Sequence, residues 1–327
     1  MISSRFGPNH RVLAIFLLFG LSVCPALRAN TLDSSVIGMF PRDVTELKYA
    51  DLSGSRQFAW FPQFQAQVVP NEVLGFQKFL ENSQVQELPS IEQVAWARVS
   101  ISGSTQLVAV GTGQFEIDAI KIFLDSRGVS SIPVGPYEMY PSQTDLGMVE
   151  GYFAMIDNMT VALGPLEGLR RILEVREQKQ ENLSGNAEII RSITQVNGQA
   201  VFWSILGSAE AGRAVQHLVP DIMKFPQAIE RVGKLKQLLI SVNASDEIKL
   251  NFKADSSSPK DAVVLSQLLE ASTLTKQYQS RQDNPELAKV LDGMVITPFG
   301  NQLDIWLTVT HDQMQSLADN NAFSLLM

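Results

Sequence analysis

Ser257-Ser258-Pro259-Lys260 has the Ser-x-x-Lys spacing of penicillin-binding acyl enzymes, where a lysine one helical turn after a serine helps remove the hydroxyl proton. That chemistry also needs Ser-Asp-Asn and Lys-Thr-Gly partners, and neither tripeptide occurs in the chain. The same residues start a helix equally well: Ser258 caps, Pro259 suits the first helical position, and Asp261 completes a box-like start. We read them as a cap. His217 and His311 are the histidines beyond the first 29 residues, far apart in sequence, and neither falls in His-Glu-x-x-His or another metal-ligand spacing. Gly-x-Ser-x-Gly is absent, and a Ser-His-Asp set built from distant residues is recognised only by geometry. Both histidines are therefore read as structural or surface residues. Gly111-Thr112-Gly113, between a strand and a helix, looks like the start of a dinucleotide-binding turn. The third glycine is missing and Glu116 stands at the helix start, where a phosphate would need positive potential, so it is read as a plain turn. No catalytic, cofactor-binding or metal-ligating residue is assigned, and no cofactor is expected. Phe58, Trp60, Phe61 and Phe64 form an aromatic-rich loop that either lines a ligand groove or staples itself to the core, and burial favours the staple.

The elements that would position such residues begin after residue 29. Arg5, His10 and Arg11 precede the uncharged run Val12 to Val23, and small residues follow at Ala26 and Ala29, the layout of a cleaved signal peptide over residues 1–29. Twelve apolar residues fall short of the roughly 20 that span a bilayer. Leu21-Ser22-Val23-Cys24 resembles a lipoprotein box, but Val23 is too large before the cysteine, so cleavage without lipidation is expected. Cys24 is the single cysteine, so the mature chain would have neither disulfides nor thiol chemistry. It would carry 23 basic against 34 acidic residues, a net of −11, which argues against nucleic acid and anionic lipid surfaces as partners.

Beyond the leader, the apolar periodicity predicts strands over 46–51, 91–102, 105–113, 131–141, 151–156, 160–163, 200–206, 237–243, 247–254, 294–297 and 302–309. Helices are expected over 71–82, 116–126, 209–219, 222–232, 262–281, 285–291 and 311–317, with two more between Gly164 and Ala200. Trp96, Trp203 and Trp306 fall in strands and are expected to pack between sheet and helix. Ala95 to Leu124 and Leu238 to Leu269 repeat the order hairpin then helix. The expected fold is α+β, a mainly antiparallel sheet with helices on one face, in two weakly related ββα-containing lobes, roughly 36–198 and 199–327, of a single domain over 30–327.

The stretch YFAMIDNMTVALGPLEGLRRILEVREQ, followed by NLSGN, a helix and QAVFWSIL, resembles a layout found in uncharacterised exported bacterial envelope proteins. FPRDVTELKYADL is similar to their entry into the first strand. The resemblance implies a two-lobed α+β protein and carries no catalytic residue with it. The expectation is a periplasmic or secreted protein with a non-catalytic binding or structural role in the cell envelope, its partner a protein or envelope component met through sheet faces or the aromatic loop. The alternative is a periplasmic hydrolase with a dispersed site. A deep pocket holding His217 or His311 beside a serine or carboxylate would mark the enzyme.

Overall fold

Strict alternation, as in Ile248-Lys249-Leu250-Asn251-Phe252-Lys253, puts every second side chain on one face, and the chain uses this pattern to build one long sheet. A computed structural model describes residues 31–85, 90–219, 222, 225–283, 285–320 and 322–323. The expected signal peptide and Cys24 lie outside the described residues.

The strands are β1 (Glu46–Asp51), β2 (Ser90–Ile101), β3 (Ser104–Gln114), β4 (Ile132–Val134), β5 (Tyr137–Pro141) and β6 (Tyr152–Asp157). They continue as β7 (Thr160–Gly164), β8 (Phe202–Gly207), β9 (Leu235–Ala244), β10 (Ile248–Ser256), β11 (Val295–Phe299) and β12 (Gln302–Val309). All pair antiparallel in one 12-stranded sheet of order β11-β12-β10-β9-β8-β1-β2-β3-β7-β6-β5-β4. This is the antiparallel α+β fold expected. The sheet reads the same outward from its middle: β1-β2-β3-β7-β6 on one side matches β8-β9-β10-β12-β11 on the other, joined where β1 pairs with β8.

The helices are α1 (Ser34–Ile37), α2 (Leu52–Ser55), α3 (Phe61–Val68), α4 (Asn71–Ser83), α5 (Ile117–Ser126) and α6 (Leu166–Arg176). The rest are α7 (Ala187–Val196), α8 (Ser208–Leu218), α9 (Pro226–Val232), α10 (Pro259–Asp283), α11 (Pro285–Asp292) and α12 (His311–Asp319). In each half a helix follows the inner hairpin, α5 after β2–β3 and α10 after β9–β10; β4–β5 then comes before the outer hairpin β6–β7, and α11 before β11–β12. The main core lies on the face covered by α3, α4, α5, α8, α9 and α10. A second core lies on the opposite face, where α1, α6 and α7 cover the middle strands with Phe40, Leu169, Ile172 and Ile193. The helices expected on one face thus also pack on the other, because β1 is buried on both faces and β8 nearly so, with Leu47, Tyr49, Trp203 and Ile205 on one and Ala50, Phe202 and Leu206 beside the buried Glu46 and Lys48 on the other. Toward β10–β12 the second face is wet, and Trp306, expected under a helix, is 40% exposed there.

Several local readings change. Gly111-Thr112-Gly113 lies inside β3 and is no turn. A Cβ on Gly113 would sit 2.3 Å from the Ser90 carbonyl oxygen, so glycine there lets two strands approach. The strand expected over 131–141 is a hairpin, β4–β5, turning at Gly135 with φ of 59°. Of the helix expected over 222–232, α9 forms the part from Pro226; residues 220, 221, 223 and 224 lie outside the described residues.

Candidate functional site

The residues with recognisable chemical spacing are not brought together. The Ser257 hydroxyl donates to the Lys234 carbonyl at 2.7 Å. Ser258 donates to the Asp261 carboxylate at 2.7 Å and accepts from the Asp261 backbone N–H at 3.2 Å, which is helix capping. Arg231 closes on the same carboxylate. The hydrogen bond from Ser258, ahead of the pairing with Arg231, holds the Asp261 carboxyl below its ordinary value. His217 is exposed in the last turn of α8. His311 accepts from Trp60 Nε1 at Nδ1 (3.1 Å), which leaves Nε2–H to donate to the Ser245 carbonyl at 3.0 Å. Its ring stacks on Phe58 at 5.3 Å. Neither histidine bonds to a serine hydroxyl or carboxylate among the described residues, and no group of three His, Cys, Asp or Glu fit to hold a metal occurs among them.

The aromatic segment is not a groove. Trp60, Phe61 and Phe64 are at most 2% exposed, and the chain from Phe61 is helix α3, with Pro62 in its first turn. Phe64 meets Trp60, Phe202 and Phe323 edge-on at 5.6, 5.5 and 4.9 Å. The staple reading describes this cluster, in which Trp60, Phe61 and Phe64 are buried and Phe58 is half-buried.

An apolar void lies in the second half, between the sheet and helices α8, α10 and α11. Its volume is about 280 Å³, at the lower end of the roughly 300–1,000 Å³ of small-molecule pockets. Phe252, Ala254, Leu303 and Ile305 form its floor on β10 and β12, and Leu265 and Leu269 of α10 its roof. Val215, Leu291, Met294 and Ile296 close the sides, each only partly buried. The polar side chains on the wall are Ser272, Thr273 and Lys276, all on α10, and none is acidic. A smaller, polar cleft of about 170 Å³ lies across the sheet under the end of α7, where Gln195, Gln199, Asn243 and Asn251 meet.

The first half shows what the void would look like if filled. Its matching layer, between β2, β3, β6, β7 and α4–α5, is packed by Phe76, Phe79, Phe115 and Phe153. Phe76 lies 5.1 Å from Phe153 and 5.6 Å from Phe79. In the second half the layer has one ring, Phe252, among aliphatic and polar side chains and stays open. The residues of this wall are mostly aliphatic and scattered from 215 to 305, so no motif could have announced them in the sequence.

No family model matches the chain, and no curated protein does. Among solved structures, crystal form I of TP0453 matches with a TM-score of 0.48 at 12% identity, over 90% of this chain and 99% of that one. Crystal form IV of TP0453 matches with a TM-score of 0.47 at 11% identity, over 89% and 98%.

Proposed function

We propose that the protein is a non-catalytic binder of an apolar small molecule, held in the second-half cavity beneath α10, and that it works outside the cytoplasm. The observation that carries this reading is the open apolar layer in one half where the matching layer of the other is filled by phenylalanine rings. Packed interiors hold few voids, and an unfilled apolar void of this size costs stability that a ligand restores. Export is supported by the leader-like residues 1–29, and the acidic balance supports a neutral or hydrophobic partner over nucleic acid. The hydrolase alternative has no support in the cavity wall, which contains neither histidine nor carboxylate.

The reading is tested with N-phenyl-1-naphthylamine, a neutral dye that brightens in apolar surroundings. Wild-type protein should bind it saturably at one site. Ala254→Phe, which grows a ring from the floor into the void, should lose that binding while melting no earlier than wild type. Dye binding that is absent from the wild type, or equal in the filled variant, contradicts the reading.

A further inference from the structure

The wall of the cavity is not uniform along α10. Leu265, Leu269, Ser272 and Lys276 recur at intervals of three and four residues, so they form one stripe facing the void. Over roughly 16 Å of helix, at 1.5 Å per residue, that stripe passes from aliphatic to hydroxyl to cation. The buried end is Leu265, and the exposed end is Lys276 at the lip.

The two polar members are both unengaged. Ser266 and Thr275 donate back to helix carbonyls, Val263 at 2.8 Å and Ala271 at 2.9 Å. Thr273 is turned to the Met294 sulfur at 3.7 Å. Ser272, only 6% exposed, has a buried Oγ with no hydrogen-bond partner among the described residues. A buried hydroxyl in that state is costly and is matched by an oxygen arriving with a ligand. Lys276 has no carboxylate partner among the described residues, while Lys289 on α11 and Arg231 on α9 are paired with Glu286 and Asp261.

We infer that the occupant is a single-chain amphiphile with an acidic oxygen head group, its tail lying along Leu265 and Leu269 and its head meeting Ser272 and Lys276. This rests on the cavity reading above and assigns the ligand's class and direction. Ser272 donates a hydrogen bond to a head-group oxygen, and Lys276 supplies the opposite charge at the water boundary. The absence of acidic side chains from the wall leaves nothing to hold a cationic head.

The experiment is displacement of N-phenyl-1-naphthylamine by three ligands of equal chain length: dodecanoate, dodecanol and dodecyltrimethylammonium, each below its micelle concentration. Dodecanoate should displace the dye at about tenfold lower concentration than the ammonium compound, the size expected of a charge-assisted hydrogen bond. Lys276→Ala, at an exposed position, should bring dodecanoate within about twofold of dodecanol. Ser272→Ala should weaken dodecanoate most, dodecanol less, and leave the ammonium compound, which has no oxygen to accept the bond, unchanged. Equal displacement by all three, a preference for the ammonium compound, or an unchanged preference in Lys276→Ala overturns the head-group assignment and leaves the cavity standing. Failure of all three chains to displace bound dye overturns the cavity reading itself.

Discussion

At the scale of single residues, His311 is a structural bridge. Its two ring nitrogens are committed to Trp60 and Ser245, and its face to Phe58, so it ties the α12 start to the α3 aromatic cluster and the β9–β10 turn. His311→Ala should cost about 1–3 kcal/mol in urea unfolding, because the Trp60 N–H is left buried without its acceptor. Dye binding by the folded variant should be unchanged, and a variant that lost binding at full stability would give the ring a functional part instead. Sequence alone set both histidines aside as structural or surface residues, and it could not show that one of them is bonded at both nitrogens. Those partners lie 251 and 66 residues away. The aromatic cluster was legible as a burial signal, since four rings in seven residues cannot all be hydrated. Its helical backbone was hidden by Pro62, a residue that breaks a helix interior but is welcome in the first turn.

At the scale of elements, periodicity located the strands and the helices from α4 on, missing α1, α2 and α3, and several other departures are places where backbone geometry overrides side-chain pattern. The β2–β3 hairpin turns at Ser102-Gly103, both with positive φ (49° and 84°), one residue earlier than the expected strands 91–102 and 105–113 had indicated. Gly113 is strand, not turn, because the Ser90 carbonyl occupies the space of a side chain. Gly113→Ala should destabilise by about 1–3 kcal/mol, as overpacking does, measured by thermal unfolding; a neutral result would show that β2 and β3 can part without cost. The start of α10 offers a second test. Ser258→Ala removes a cap worth about 1 kcal/mol at neutral pH. Because the folded-state value of Asp261 lies below the 3.8 of the free group, its contribution is complete above that pH and is lost as pH falls through the folded value. The gap between wild type and Ser258→Ala should therefore be constant from pH 7 down to about 4 and narrow below it. A gap that widens in acid would contradict the pairing of Ser258 with Asp261.

At the scale of the whole molecule, two copies of one strand order meet at β1 and β8 and diverge in how they fill the layer beneath their helices. The order was partly visible as a repeated hairpin-then-helix. The divergence was not, since a leucine that packs and a leucine that lines a void look alike in sequence. The low amphipathicity of α10 hid it further: Ser272, Gln277 and Ser280 point inward while Leu274 and Tyr278 are exposed, so periodicity gave the helix without its working face. Among the described residues no helix is long and apolar enough to cross a membrane, and the account needs none. Its central claim is that the two halves differ in occupancy. Co-crystallisation with dodecanoate tests this most directly: electron density for one chain should run between α10 and β10–β12 with its head beside Ser272 and Lys276, and none should enter the Phe76–Phe153 layer of the first half. An empty second-half cavity in crystals grown with saturating ligand, or density only elsewhere on the protein, would contradict the account.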